Sequence, residues 1–142
     1  MFLKFDQLNV VAILVAGLAT LFLGGMWYMP IFGNLWLQLH GYSEEKVKEM
    51  HARVPPVLFF GGMILCYLVS AVVVALLVIH LELDPTTPLD GLVLGTGLGV
   101  LVSAIAFTAH LASDKHFGIF AIDAGFYFLL LNVQSVLLNW WR

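Results

Sequence analysis

Charge is what this chain has least of: Lys, Arg, Asp and Glu make up 11% of its 142 residues, whereas soluble domains carry roughly 25%. With 61% hydrophobic residues beside so little charge, the chain cannot cover a water-soluble globule and belongs in lipid. Cysteine is nearly absent too, and the single Cys66 excludes an intrachain disulfide and leaves the redox compartment unread. No glycine-rich phosphate loop, zinc-type cysteine pair or basic stripe occurs, so neither nucleotide nor nucleic acid is an expected partner. A net charge of -3 is too slight to specify any other. The first apolar run follows Lys4 but lacks a small-x-small cleavage pattern, so it reads as a span and not as a removed leader.

What the chain does have is four apolar runs, at about 9–29, 57–81, 90–112 and 117–141. Each supplies the roughly 20 residues needed to cross a bilayer core of about 30 Å. The runs are continuous instead of alternating, which favours helices over a barrel. The expected fold is all-α: one integral membrane four-helix bundle, with the lipid bilayer as its principal partner. Four crossings put both termini and the connection 82–89 on one side, here called the terminal side. The connection 31–56 and the turn 113–116 lie on the other, the loop side. Lys46, Lys48, Arg53 and Lys115 on the loop side outnumber Lys4 and Arg142, which favours a cytoplasmic loop side.

Within the long connection, Ser43 is placed to cap a helix over 44–53 that opens with Glu44 and Glu45 and stops before Pro55 and Pro56. Val47, Met50 and Val54 form a narrow apolar stripe along it. That pattern suits a short interfacial helix on the membrane surface, or a docking surface for a partner.

Small residues recur at four-residue spacing. The third span carries Gly91, Gly95, Gly99 and Ser103, and the first carries Ala12, Ala16, Thr20 and Gly24. Backbones approach closely along such rows, which supplies packing where lipid removes the hydrophobic drive between helices. Gly62, Cys66 and Ser70 continue the theme in the second span. One of these rows serves either the internal bundle or a homodimer.

The fourth span is the most polar. At 100° per residue, Asp123, Tyr127 and Gln134 fall within about 40° of one another, and Asn132, Ser135 and Asn139 lie on nearly the opposite face. A helix with two polar faces belongs between other spans. Asp123 lies roughly 9 Å below the loop-side surface at 1.5 Å per residue, at a depth comparable to His110. Together with Tyr127, Trp27 and Tyr28 they form a candidate polar pocket, with Asn34, Trp36, His40, His51, Asp114 and His116 on the same rim. A carboxylate in hydrocarbon must be paired, hydrogen-bonded, hydrated or protonated. Asp123 therefore reads either as interhelical glue or as a proton-titrating or ligand-gripping group.

Haem ligation fails on distance: His80 ends the second span on the terminal side and His110 ends the third on the loop side, so they cannot share an iron. His110, Asp114 and His116 have ligand chemistry with mixed spacing. No metal or other cofactor is expected, and His80 reads as capping carbonyls at its helix end. Trp27 and Tyr28 suit an interfacial belt, Pro30 an end to the first helix and Gly33 a turn, while Trp140, Trp141 and Arg142 anchor the far end.

The run Gly25-Met26-Trp27-Tyr28-Met29-Pro30-Ile31-Phe32-Gly33, then Trp36, with Ile122-Asp123-Ala124-Gly125-Phe126-Tyr127 and a closing Trp140-Trp141-Arg142, resembles domain-of-unknown-function family seventeen sixty-one. The likeness spans nearly the whole chain. It implies a four-helix integral protein of a bacterial inner membrane and assigns no activity. Met29 stands where the family pattern has a polar or small residue, so no hydrogen-bonding role is implied there. No nucleophile with a positioned base can be assembled from these spacings, and an enzyme is not expected. The expected function is an accessory or scaffold subunit of a membrane complex or homodimer. The alternatives are a small dimeric proton-coupled carrier using Asp123 and a pigment- or metal-binding membrane subunit.

Overall fold

The structure, a computed structural model, describes residues 4–142, and every regular element among them is helical. After a short turn at Phe5–Gln7 come α1 (Val10–Met26), a π-helical turn (Trp27–Ile31), α2 (Gly33–His40), α3 (Glu44–Arg53), α4 (Pro56–His80), α5 (Pro88–Leu111) and α6 (Phe117–Trp140). Four of these are long and apolar enough to cross a membrane: Val10–Ile31, Pro56–His80, Pro88–Leu111 and Phe117–Trp140.

Local chemistry sets most of the ends. Asn9 accepts the Ala12 amide at 3.1 Å to start α1, and Ser43 accepts that of Lys46 to start α3. Proline occupies the first helical position of α4 and of α5, where its missing N–H breaks no bond. Two helices end in the same left-handed motif. After α2 the residue is Gly41 (φ 66°), with Tyr42 N–H reaching back to the Leu37 carbonyl. After α4 it is Glu82 (φ 52°), with Leu83 N–H reaching the Val78 carbonyl. Glycine adopts this conformation freely, whereas a residue with a Cβ incurs about 1 kcal/mol.

The four long helices do not surround a common axis. The long helices α1, α4 and α6 pack on one another, and α5 packs along α6. The expected bundle is thus a three-helix core with α5 laid on the outer side of α6. The reason lies in the small residues. A Cβ on Gly95 would stand 2.6 Å from the Cα of Asn132, one on Gly91 2.8 Å from that of Val136, and one on Gly99 3.1 Å from that of Phe128. Backbone-to-backbone contact of this kind is what glycine rows permit. Ser103, the last of the row, is half-buried.

The α1 row faces the core. Ala12, Ala16 and Thr20 are fully buried, and Gly24 is closed over by the Phe126 ring and the Tyr67 hydroxyl. Ala71, Val74, Ala75 and Val78 of α4 complete that seam. Both glycine- and alanine-rich rows are therefore occupied within the chain. The α4 theme holds only for Ser70: Cys66 is exposed, and Gly62 is exposed with nothing within 4 Å of its Cβ position. Ser70 lies on the face of α4 turned to α6; Gly62 and Cys66 do not.

Candidate functional site

Pro30 does not end the first span as expected. The helix widens into a π turn over Trp27–Ile31 that carries Pro30 inside it, and α2 follows from Gly33. A π turn changes the angular spacing of side chains and takes a proline ring more easily than a regular turn. Gly33 is needed for closeness and not for an unusual φ: a Cβ there would lie 2.7 Å from the Tyr28 carbonyl oxygen. Trp27 and Tyr28, adjacent in sequence, both reach α6.

Their targets are adjacent as well. Trp27 Nε1 donates to the Ile122 carbonyl at 3.1 Å, and the Tyr28 hydroxyl donates to Asp123 Oδ1 at 2.7 Å. From α2, Trp36 Nε1 donates to the same Oδ1 at 3.3 Å. One carboxylate oxygen thus joins three segments. Gly125 gives the Trp27 ring its place, since a Cβ there would stand 3.1 Å from that ring, and Phe126 meets the Tyr28 ring edge-on at 5.3 Å.

The aromatic group continues toward the rim. His40 lies 3.8 Å, centroid to centroid, from Trp36 and 4.8 Å from Tyr42. Its Nδ1–H donates to the Trp36 carbonyl at 2.8 Å, which fixes the ring against Trp36. The chain Asp123–Trp36–His40–Tyr42 leads from within the membrane span to the α2–α3 connection.

Of the residues expected in the pocket, Asp123, Tyr28 and Trp27 come together. Tyr127, one helical turn beyond Asp123, packs half-buried against the core. His110 is placed elsewhere: its ring sits among Phe107, Phe117 and Phe120, with centroids 5.5 to 6.1 Å away. The loop-side end of α5 thus directs it to the outer aromatic cluster. Trp36, expected only on the rim, supplies the second donor instead. Its indole N–H in the apolar opening of the long connection was the available signal, but no spacing rule links it to residue 123.

Three further polar residues of α6 are ties too, whereas the buried Ser135 hydroxyl has no hydrogen-bond partner among the described residues. Fully buried Gln134 accepts from Ser70 at 2.8 Å and donates to Thr20 and to the Tyr67 carbonyl, both at 3.1 Å, joining α6 to α1 and α4. On the other face, Asn132 accepts from Thr96 of α5 at 3.1 Å. Asn139 Nδ2 donates to the Asp84 and Thr87 carbonyls, holding the α4–α5 connection. Each polar face of α6 has its own neighbour. His80 Nδ1 bonds the Leu76 carbonyl one turn back. Among the described residues no group of three His, Cys, Asp or Glu side chains is arranged to hold a metal ion.

Four apolar helices and a buried network of helix-to-helix hydrogen bonds define a multi-pass membrane protein. Residues 11–139 match the family model described as "Protein of unknown function (DUF1761)", and the chain belongs to that family. No curated protein and no solved structure matches it. Two of the three segments that carry the resemblance, at 25–36 and 122–127, meet around Asp123; the closing Trp140-Trp141-Arg142 lies at the other end of α6.

Proposed function

We propose that the protein is a non-enzymatic accessory or scaffold subunit of a membrane assembly. The observation that carries this reading is the sharing of Asp123 Oδ1 between Tyr28 and Trp36, which makes the one acid deep in a span a fastening between segments. Gln134 and Asn132 act alike. Polar groups whose bonds close within the fold set helix positions, and set positions are what a docking subunit offers. The outer faces of α4 and α5, with Phe59, Phe60, Val93 and Val100 more than half exposed, are the surfaces for neighbouring chains or lipid. The loop-side excess of basic residues supports a cytoplasmic loop side in a bacterial inner membrane.

Photocrosslinkers at Phe59 and Val93 in native membranes test this. Discrete heavier adducts are expected. A monomer in mild detergent with no adduct from either position would remove the reading.

A second reading, a dimeric proton-coupled carrier, has one observation in its favour: both donors to Asp123 converge on Oδ1, and no hydrogen bond among the described residues reaches Oδ2. That oxygen is free to take a proton or a cation. Proteoliposomes with Asp123→Asn decide it, because unchanged pH-driven uptake in the variant would leave the acid without a coupling role.

A further inference from the structure

An open cleft lies at the opposite end of the molecule from Asp123. It encloses about 480 Å³ on the terminal side, between Lys4 and Gln7 ahead of α1, Ile79, Glu82 and Leu83 at the end of α4, and Arg142 beyond α6. Its lining residues sit within a few positions of the ends of three spans, at the level where lipid headgroups meet the hydrocarbon. Both charge signs line it, over an apolar base of Ile79 and Leu83.

Two features of Glu82 have no account in the fold. It holds the left-handed position that ends α4 (φ 52°), where glycine is the unstrained choice and where the same motif after α2 has Gly41. Its carboxylate is also poorly engaged, with Lys4 Nζ 3.9 Å away and the Glu82 side chain 82% exposed. An exposed pair at that distance adds little stability. Strain held at a residue that faces a cleft points from backbone to binding. Asp84, the neighbouring acid, is already occupied by the amide and hydroxyl of Thr86 and the hydroxyl of Thr87. Glu82 is therefore the cleft's available acceptor, and Lys4 and Arg142 are its cations.

We propose that this cleft binds the headgroup of a phospholipid bearing a primary ammonium, with its phosphate between Lys4 and Arg142 and its ammonium donating to Glu82. A phosphate and an ammonium two carbons apart carry the same mixed charge as the lining. A trimethylated headgroup has no N–H to give Glu82, and an anionic glycerol headgroup has only neutral hydroxyls and no positive charge to pair with it. This goes beyond the scaffold reading and does not depend on it.

The full-length protein in detergent, offered phosphatidylethanolamine, phosphatidylcholine and phosphatidylglycerol of matched acyl chains, tests the assignment by native mass spectrometry. Retention of the ethanolamine lipid about tenfold above the choline lipid is expected, the equivalent of one hydrogen bond to a charged group. Glu82→Gly is expected to abolish that preference while raising the thermal midpoint, since it relieves the left-handed strain. Glu82→Gln provides a second variant with the backbone position kept. Arg142→Gln and Lys4→Gln are expected to lower retention of the ethanolamine and choline lipids alike. Equal retention of those two lipids by the wild type, an undiminished preference in both Glu82 variants, or displacement of the lipid by millimolar inorganic phosphate would overturn the proposal, the last by showing a site for free anion.

Discussion

The Tyr28 hydroxyl and Asp123 Oδ1 lie 2.7 Å apart although 95 positions separate them in the chain. That bond fastens the π turn to α6 within the membrane span, and Trp36 reinforces it from α2. Its strength has two bounds. Hydrogen bonds between membrane helices average about 0.6 kcal/mol, and bonds to a charged acceptor reach about 1.5–3 kcal/mol.

Tyr28→Phe should therefore lower stability by about 1–2 kcal/mol, and Trp36→Phe by less because its bond is longer. Thermal unfolding in mild detergent measures both. A Tyr28→Phe/Asp123→Leu cycle, in which neither variant can form the bond, should give a coupling energy clearly above zero; strict additivity would mean that the bond contributes nothing.

Gly95→Ala should separate α5 from α6. The added methyl meets the Asn132 Cα at 2.6 Å and the Leu131 carbonyl oxygen at 2.7 Å, and neither backbone atom can swing aside, so a loss of about 1–3 kcal/mol is expected. Gly97→Ala serves as the control: nothing lies within 4 Å of its Cβ position, and helix propensity predicts a gain of up to about 1 kcal/mol. Equal effects of the two in the same unfolding assay would contradict the assigned packing.

Gln134→Leu keeps the volume but removes the acceptor of the Ser70 hydroxyl, while Thr20 loses one donor and keeps its bond to the Ala16 carbonyl at 2.8 Å. A buried unsatisfied group costs about 1–3 kcal/mol. Adding Thr20→Val and Ser70→Ala should return part of that loss, because apolar partners no longer need the amide. Failure of the triple variant to recover any stability would show that the tie is not what Gln134 supplies.

Asp84 lies outside the spans, and its carboxyl is held below the ordinary value of 3.8, first by the Thr86 hydroxyl, then by the Thr86 amide, the Thr87 hydroxyl and the charge of Arg142. A carboxyl with a lowered folded value stabilises the fold fully above its unfolded value, and the contribution disappears as pH falls through the folded one. Asp84→Asn should thus lower stability slightly at neutral pH, where the carboxylate's contribution is fully present, and flatten the acid side of the stability curve below about pH 4. Superimposable acid profiles for the two proteins would exclude this role.

Composition and continuous apolar runs are enough to establish four long helices, because a lipid-facing backbone has so few alternatives. The glycine row at 91, 95 and 99 likewise announces close packing. The polar sorting of α6 was legible as two faces, since helical angle depends on position alone. Trp36 was not legible as a partner of Asp123, because a tie across 87 residues depends on where α2 folds back. His110 shows the same limit from the other direction: equal depth along two helices says nothing about which way each ring turns.

The linear chain thus settled environment, element type and the helix positions that permit close approach, all of which follow from local periodicity and the scarcity of charge. Only the folded molecule chose which rows meet inside one chain, laid α5 outside the three-helix core, and gathered Tyr28 and Trp36 onto a single oxygen of Asp123. Those choices rest on the relative rotation of packed helices and on the widened turn at Trp27–Ile31, and rotation emerges from side-chain fit between segments far apart in sequence.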